Sequence, residues 1–208
     1  MSNILIVDYE GGNLASLRAA VRTVGGEVSF SNQPGDIEDA EKIIVPGVGA
    51  YKDAMEKLSR TGWADTLKEC AATGDKPILG VCVGMQILST FGEEGNNDGH
   101  LTSGLDLIPG VVQKLKSENN ERVPHMGWNN VNYSDACELF DGIPDQTDFY
   151  FAHSYRFIPD NEQNVIATTD YCSDTVVTVR SGNVFGAQFH PEISSGAGLM
   201  FLKNFIEM

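Results

Sequence analysis

Residues 77–86 have the sequence Pro77-Ile78-Leu79-Gly80-Val81-Cys82-Val83-Gly84-Met85-Gln86. The apolar run at its start is typical of a strand buried on both faces, as in a parallel sheet. The spacing of Gly80, Cys82 and Gly84 then predicts a sharp strand-to-helix turn, because a glycine on each side relieves the crowding of the backbone. Such a turn projects Cys82 from the edge of the sheet, where the N-terminus of the following helix favours the thiolate.

The segments around this turn alternate between buried strands and amphipathic helices in the first half of the chain. The predicted strands are residues 4–7, 28–30, 42–45 and 77–81, and the predicted helices are residues 14–24, 51–58, 63–72 and 84–88. Asn13 is placed to cap the first of these helices. The alternation predicts an α/β fold with a parallel sheet that has helices on both faces.

The second half changes to short β-branched or aromatic segments separated by turn residues. These segments are residues 111–112, 131–133, 149–151, 165–168 and 175–179. They predict antiparallel strands added to the same sheet. Residues 184–189 form a further strand-like run. A last helix is expected from about Gly198, and we assign no structure to the polar, glycine-rich residues 92–104. The length favours a single domain over residues 1–208.

The charge of the chain excludes several classes of function. Its 208 residues include 14 Lys and Arg against 29 Asp and Glu, which gives a net charge of −15. A general nucleic-acid binder or a protein that binds an anionic membrane needs a cationic surface, so we expect neither partner. The sequence has no apolar run of the roughly 20 residues that a spanning helix needs, and its start does not resemble a signal peptide. We therefore expect a cytoplasmic protein.

The four cysteines are Cys70, Cys82, Cys137 and Cys172. None forms a C-x-x-C pair, which disfavours a zinc site, and without an export signal we expect reduced thiols. For the three cysteines other than Cys82 the favoured interpretation is core packing, since free cysteine is among the most buried residues. The chain also lacks the glycine patterns of nucleotide-binding loops. We therefore expect no metal and no cofactor.

His190 is the best candidate for a base that serves Cys82. It lies in Gln188-Phe189-His190-Pro191-Glu192, directly after a predicted strand. Glu192 can accept a hydrogen bond from the imidazole and set its tautomer, which gives a nucleophile, a base and an orienting acid. The alternative is a histidine with a purely structural role.

Residues 46–49, Pro46-Gly47-Val48-Gly49, follow the predicted strand 42–45 at the same edge of the sheet as Cys82. Their backbone N–H groups could complete an oxyanion hole with that of Val83, or the segment is an ordinary glycine turn. Residues 124–130 place Met126 and Trp128 among turn-forming residues. They predict a loop whose apolar side chains either return to the core or meet a partner.

Together these motifs resemble the class I (triad) glutamine amidotransferases, and within them the glutaminase subunits of imidazole glycerol phosphate synthases. The second likeness is carried by Asp8-Tyr9, Gly12-Asn13 and residues 46–49, 124–129, 153–155 and 188–192. It implies a flavodoxin-like sheet and hydrolysis of L-glutamine to glutamate and ammonia. It also implies a heterodimer with a (β/α)₈-barrel cyclase subunit, which uses the ammonia to form imidazole glycerol phosphate and an aminoimidazole carboxamide ribotide in histidine biosynthesis.

The resemblance also implies roles for single residues. Cys82 would form the glutamyl thioester, His190 would take the thiol proton and pass it to the departing ammonia, and Glu192 would orient His190. The other implied contacts are the oxyanion residues Gly47, Val48, Gly49 and Val83, the glutamine-binding residues Gln86, Glu94 and Ser154, and the partner-facing residues Asn13, Trp128 and Tyr150.

Three features depart from the family pattern. Glu10 stands where glycine is usual, Ile193 stands where lysine is usual, and residues 92–104 form a longer segment. They support, as an alternative, a paralogous glutaminase that feeds a sugar amidotransferase in surface-polysaccharide synthesis. A catalytically silent regulatory subunit would not need the intact triad, and a cysteine peptidase would leave Gln86 without a role.

Overall fold

The computed structural model describes residues 2–96, 99–118, 120–133 and 137–208. Its first half contains every predicted strand and helix, with ends that differ slightly from the prediction. The strands are β1 (Asn3–Val7), β2 (Glu27–Ser31), β3 (Lys42–Val45) and β4 (Ile78–Val81), and the helices are α1 (Leu14–Thr23), α2 (Tyr51–Thr61), α3 (Trp63–Thr73) and α4 (Val83–Gln86). A 3₁₀ segment over Pro34–Asp39 lies between β2 and β3.

The second half is mainly strand. Its elements are β5 (Phe91–Gly92), β6 (Thr102–Ser103), β7 (Gly110–Lys114), β8 (His125–Tyr133), β9 (Thr147–His153), β10 (Tyr155–Pro159), β11 (Val165–Asp170), β12 (Asp174–Ser181), β13 (Val184–Ala187) and α5 (Ser195–Glu207). The last helix thus begins slightly before the predicted Gly198. The unassigned residues 92–104 run from β5 to β6, and residues 97–98 among them lie outside the described part of the chain.

The large sheet has nine strands in the order β2-β1-β3-β4-β13-β12-β11-β8-β9. Its first five strands are parallel, and the remaining four are antiparallel. The predicted mixed sheet is therefore confirmed. Residues 111–112 are an exception, because β7 belongs to a separate four-stranded sheet of order β10-β7-β5-β6. Strand propensity identified the segment but carries no information on the strand with which it pairs.

The prediction of a loop over residues 124–130 was wrong. Residues 125–133 form β8, which pairs with β9 in a continuous antiparallel register from His125 opposite His153 to Val131 opposite Thr147. The turn-forming residue types were misleading here, because cross-strand pairing with the aromatic β9 outweighs local propensity.

The core forms between the sheet and its helices. The apolar runs in β1 and β3 are fully buried, which is the reason that they show no alternation. Helices α1 and α5 pack against each other, and α2 packs against α3. Asn13 caps α1 as predicted, since its side-chain oxygen accepts a hydrogen bond from the Ser16 N–H at 3.4 Å. No helix in the described ranges combines the length and apolar character that a membrane crossing requires.

The predicted glycine turn is a close contact between three backbone segments. A Cβ at Gly84 would lie 1.9 Å from the carbonyl oxygen of Val45, and one at Gly80 would lie 2.3 Å from the Gly84 oxygen. A Cβ at Gly47 would lie 2.4 Å from the Gly84 nitrogen. The ends of β3 and β4 therefore meet the first turn of α4 without intervening side chains, and this contact brings residues 46–49 next to Cys82.

Gly84→Ala should lower the free energy of unfolding by about 3 kcal/mol, because the new methyl group meets rigid backbone rather than a flexible side chain. Gly196→Ala in α5 is the matched control, since a Cβ there meets nothing within 4 Å and alanine favours a helix. Urea denaturation of both variants measures the difference. Similar stabilities for the two variants would contradict the proposed role of the glycine contact.

Candidate active site

Cys82 occupies the turn between β4 and α4 in a strained backbone conformation, with φ +55° and ψ −113°. Positive φ is disfavoured for residues other than glycine, so the surrounding structure must hold the turn in place. The Cys82 N–H donates a hydrogen bond of 2.8 Å to the carbonyl of Ala187 on β13. The strain is therefore stabilised by the strands on either side of β4, and the thiol points to the edge of the sheet as predicted.

His190 lies between Cys82 and Glu192. Its Nδ1–H donates to Oε1 of Glu192 at 3.0 Å, and the two side chains are 11% and 5% exposed. Burial lowers the pKa of His190, but hydrogen bonds and charge attraction from Cys82 and Glu192 outweigh it and raise the pKa to about 10. The ring is thus an imidazolium at neutral pH, held between a sulfur and a carboxylate. This arrangement can provide a nucleophile and a proton donor at the same time.

The backbone of His190 is fixed to β9. Its N–H donates to the Tyr150 carbonyl at 2.9 Å, and the Ser194 hydroxyl donates to the His190 carbonyl at 2.6 Å. The same hydroxyl accepts a hydrogen bond of 2.9 Å from the Tyr150 N–H. A displacement of β9 at Tyr150 would therefore move the imidazole directly.

Gln188 is a candidate functional residue that the sequence interpretation missed. Its Nε2 donates to the Cys82 sulfur at 3.7 Å, and its Oε1 accepts from Nε2 of Gln86 at 2.9 Å. The available signal was the alternation of side chains in an extended segment, which places Gln188 and His190 on the same side of the strand. Gln188 therefore gives the sulfur a hydrogen bond in addition to that from His190.

The helix that follows Cys82 is shorter than expected. Helix α4 spans Val83–Gln86, a single turn. The expectation that its N-terminus favours the thiolate stays a prediction. His190 and Gln188 both form direct hydrogen bonds with the Cys82 sulfur.

A cavity of about 320 Å³ opens beside the Cys82 sulfur. Its predicted lining residues are Val48, Gly49, Cys82, Val83, Gln86, Glu94, Ser154 and His190, and it is also lined by Pro124, Met126, Ala152, His153 and Tyr155. Among the predicted catalytic, oxyanion and glutamine-binding residues, two are not in its wall: Glu192 lies behind His190, and Gly47 packs against Gly84. The predicted partner-facing residues lie outside the wall as well. The volume is at the lower end of the range for small-molecule sites and suits a ligand the size of an amino acid.

Gln86 lines this cavity, and hydrogen bonds fix its amide group. Both of its amide N–H groups are used, one by the Tyr155 carbonyl at 3.0 Å and one by Gln188. Its Oε1 is buried and has no partner within the described ranges. An unpaired buried acceptor costs free energy. Glu94 adds a carboxylate, whose Oε2 accepts from the Tyr51 N–H at 3.1 Å and whose pKa is raised by burial.

Tyr9 is a second residue whose contact the sequence did not reveal. Its buried hydroxyl donates to the Pro46 carbonyl at 2.8 Å, which fixes the peptide just before Gly47. Burial raises the pKa of this phenol and nearby Cys82 raises it further, so the hydroxyl keeps its proton. A single tyrosine after a strand gives no sequence signal for a contact with a segment so far along the chain.

Large apolar side chains are exposed at the cavity and on the elements around it. Met126 and Val48, which line the cavity, are 67% and 50% exposed, and Trp128 and Ile193 are 52% and 44% exposed. Trp128 lies opposite Tyr150 in the β8–β9 register, and the two rings make an edge contact with centroids 5.9 Å apart. Exposed apolar groups of this kind favour a protein partner. Of the predicted partner-facing residues, Trp128 and Tyr150 adjoin the site, and exposed Asn13 lies at the start of α1.

The remaining cysteines pack as expected for core residues, except that Cys70 is only half-buried. Cys137 and Cys172 are buried, and all three thiols are free. Burial raises the pKa of each of them. They are therefore less readily ionised than an ordinary thiol, and Cys82 is the thiol beside the cavity.

A family model described as glutamine amidotransferase class-I matches residues 5–208. Among related proteins, the imidazole glycerol phosphate synthase subunit HisH of Moorella thermoacetica is 45% identical, over 100% of this chain and 96% of the relative. The protein of the same name from Pelagibacter ubique is 37% identical, over 99% and 100%. That from Listeria monocytogenes serotype 4a is 45% identical, over 99% and 95%.

Solved structures with a similar fold are more distant in sequence. PurLQS from Thermotoga maritima superposes with a TM-score of 0.75 at 20% identity, over 100% of this chain and 99% of that chain. A protein titled glutamine amidotransferase superposes with a TM-score of 0.74 at 20% identity, over 97% and 98%. At such identities the likeness concerns the fold alone, and it confirms the predicted fold class.

The stability advantage of the wild-type chain over His190→Gln should shrink as the pH rises from about 6.5 towards 10. Histidine in the unfolded chain has a pKa of about 6.5, whereas folding raises that of His190 to about 10. The folded state therefore holds a proton that the unfolded state releases in this window, and the stabilisation is complete only below it. Urea unfolding of both chains across this range measures the effect, and a difference that does not change with pH would contradict it.

Proposed function

The chain belongs to the class-I glutamine amidotransferase family, within its imidazole glycerol phosphate synthase subunits, and from this premise we propose that it hydrolyses glutamine through a Cys82–His190–Glu192 triad. The observation that carries the proposal is the hydrogen-bonded line from the Cys82 sulfur through the His190 imidazolium to the buried Glu192 carboxylate. Cys82 and His190 lie in the wall of a cavity of about 320 Å³.

In the first half of the reaction, the Cys82 thiolate attacks the side-chain amide carbon of glutamine. The sulfur–carbon bond forms, the carbon–nitrogen bond breaks, and His190 gives its proton to the leaving ammonia. Glu192 accepts the hydrogen bond from His190 Nδ1, fixes this tautomer and stabilises the charge of the ring. The product of this half is a glutamyl thioester on Cys82.

In the second half, a water molecule releases glutamate. The now neutral His190 takes a proton from the water, whose oxygen attacks the thioester carbon as the sulfur leaves. The thiolate and imidazolium are thereby restored together. Gln188 donates to the sulfur and stabilises the charge that returns to it.

The oxyanion formed in each half would be stabilised by backbone N–H groups. Val83 begins α4, where a backbone N–H has no acceptor within the helix, and Val48 and Gly49 line the same cavity. Gly47 packs directly on the Gly84 backbone, and this contact fixes the start of the segment that carries Val48 and Gly49.

Glutamine would bind through the polar groups around the cavity. Gln86 at the cavity wall would contact the substrate, and the Glu94 carboxylate is complementary to the α-ammonium group. Ser154, between β9 and β10, adds a further polar contact at the wall.

We assign the exposed apolar surface of Val48, Met126, Trp128 and Ile193 to the cyclase partner. As a single domain over residues 1–208, the chain would form a heterodimer with a (β/α)₈-barrel cyclase and pass ammonia to it without release to solvent. The products of the complex would be imidazole glycerol phosphate and an aminoimidazole carboxamide ribotide. The names of the similar proteins support this pathway.

The oxyanion segment is a candidate for control by the partner. Tyr9 and Gly84 fix Pro46 and Gly47, whereas Gly49 has φ +94° and nothing within 4 Å of a Cβ position. Val48 beside it belongs to the partner surface. Binding of the cyclase and its ligand would shift residues 48–49 to the orientation that stabilises the oxyanion.

A paralogous glutaminase that serves a sugar amidotransferase is the alternative proposal. Ile193 supports it, because an exposed isoleucine beside the triad requires a partner surface different from one that meets lysine. Glu10 supports it less, because its side chain pairs with Arg60 on α2 at 2.7 Å.

Glutamate release should be strongest when the chain is mixed with a histidine-pathway cyclase and the cyclase's ribonucleotide ligand. We expect lower release from the chain alone and from the chain with cyclase only, since the oxyanion segment would then be unshifted. Cys82→Ala should abolish release in all three mixtures, whereas Cys70→Ala, away from the cavity, should retain it. Turnover by Cys82→Ala would overturn the triad, and Cys82-dependent turnover without activation by the cyclase would favour the sugar amidotransferase.

Trp128→Ala should weaken binding to the cyclase at least tenfold, because large aromatic side chains at the centre of an interface commonly contribute this much. Met200→Ala is the control, as this exposed methionine lies on α5 outside the proposed partner surface. Titration calorimetry of each variant gives the two affinities. An unchanged affinity for Trp128→Ala would place the partner elsewhere.

A further inference from the structure

Two buried histidines beside the site, His125 and His153, have no part in the triad mechanism. They face each other across β8 and β9, and Nδ1 of His125 lies 3.1 Å from Nε2 of His153. The His125 ring is stacked between Phe151, at a centroid distance of 4.6 Å, and Tyr171, at 3.7 Å. Both side chains are therefore held in fixed positions, one of them in the cavity wall.

The contacts of His153 determine where its proton lies. Its Nδ1 is 2.8 Å from the Tyr155 carbonyl, and a carbonyl oxygen only accepts, so Nδ1 carries the hydrogen. In a neutral ring the other nitrogen, Nε2, is then an acceptor. The atom that faces it is Nδ1 of His125, which must therefore be the donor.

The same reasoning applies to His125. With its hydrogen on Nδ1, its Nε2 is an acceptor, and the Nδ2 group of Asn129 lies 3.4 Å away. The Asn129 amide is oriented independently, because its Oδ1 accepts from the Asn130 N–H at 2.9 Å. In the series Asn129, His125, His153 and Tyr155, each residue thus donates a hydrogen bond to the next. The last acceptor is the Tyr155 backbone carbonyl.

That carbonyl connects the histidines with the cavity. Tyr155 O accepts from His153 and also, at 3.0 Å, from Nε2 of Gln86. Its two lone pairs are therefore both used. This oxygen and Gln188 Oε1 together set the orientation of the Gln86 amide, and Gln86 lines the cavity.

We propose that His125 and His153 are positioning residues, both neutral and both protonated at Nδ1, that hold the Tyr155 carbonyl and through it the Gln86 amide at the wall of the glutamine site. The proposal rests on the proposed glutaminase function for its ligand, but its assignment of tautomers does not. The chain of hydrogen bonds also occupies Nε2 of His153, so this second histidine in the cavity wall does not compete with His190 for the proton of Cys82.

The charges around the pair are consistent with two neutral rings. Burial lowers the pKa of His125 to about 4. Burial also lowers the pKa of His153 to about 3, against the opposing effect of its hydrogen bond to Tyr155, and His125 and His190 lower it further. The only charged imidazole in the cavity wall is thus the one beside Glu192, within the described residues.

The tautomers are tested in the wild-type chain by ¹⁵N-detected NMR of the histidine rings near neutral pH. We expect both His125 and His153 to carry hydrogen on Nδ1 and none on Nε2, although the free imidazole side chain can adopt either form. Hydrogen on Nε2 of either ring would overturn the proposal. This measurement requires no variant and no activity.

The positioning role is tested with His125→Asn and His125→Phe in the complex with the cyclase and its ligand. Asparagine retains an N–H donor near the Nδ1 position but loses the stacking, whereas phenylalanine retains the stacking but loses the donor. We expect His125→Phe to raise the KM for glutamine about three- to tenfold, with little change in kcat, as for loss of one neutral hydrogen bond. His125→Asn should stay closer to the wild-type KM, even if it is the less stable of the two.

A purely structural role predicts the opposite order, because packing around Phe151 and Tyr171 would then decide the outcome. A KM for His125→Phe that equals or falls below that of His125→Asn would therefore overturn the positioning role. Thermal unfolding of both variants separates stability from KM. If Cys82→Ala retained turnover, the proposed function would fail instead, and the NMR assignment would be unaffected.

Discussion

The site depends on a contact between backbones beneath Cys82. Gly47, Gly80 and Gly84 bring the ends of β3 and β4 and the start of α4 so close that a Cβ at Gly84 would lie 1.9 Å from the Val45 oxygen. This contact holds Cys82 at positive φ, which an isolated turn would not maintain. It also places residues 46–49 next to Val83. The nucleophile and the proposed oxyanion groups therefore have their relative positions set by the packing of one sheet edge.

The environment gives three histidines near the cavity different roles. His190 is charged because its Nδ1–H is bound by the buried Glu192 carboxylate and the ring also forms a hydrogen bond with the Cys82 sulfur. His153 and His125 are buried with only neutral partners, and burial lowers their pKa values. The side chains are chemically identical, so their different protonation states follow from whether Glu192 or another imidazole is the neighbour.

The partner-facing side of the molecule is mechanically connected to the base. Trp128 and Tyr150 are exposed or half-buried on β8 and β9, yet the Tyr150 backbone binds His190 and Ser194 directly. The next pairs along the same ladder are Gly127 with Phe151, Met126 with Ala152, and then His125 with His153. A partner that binds this ladder would therefore affect both the base and the support of Gln86 through a few hydrogen bonds.

The sequence by itself determined the strand-to-helix turn at Cys82, the parallel half of the sheet and the pairing of His190 with Glu192. These features arise from local patterns: glycine spacing, continuous apolar runs and a carboxylate two residues from a histidine. Only the tertiary structure decided that residues 125–130 form a strand, that β7 joins a second sheet, and that Gln188 contacts the Cys82 sulfur. It also decided the contact between Tyr9 and Pro46 and the direction of the hydrogen bonds between His125 and His153. The physical reason is that strand pairing and side-chain hydrogen bonds join residues distant in the chain, for which local propensity carries no information.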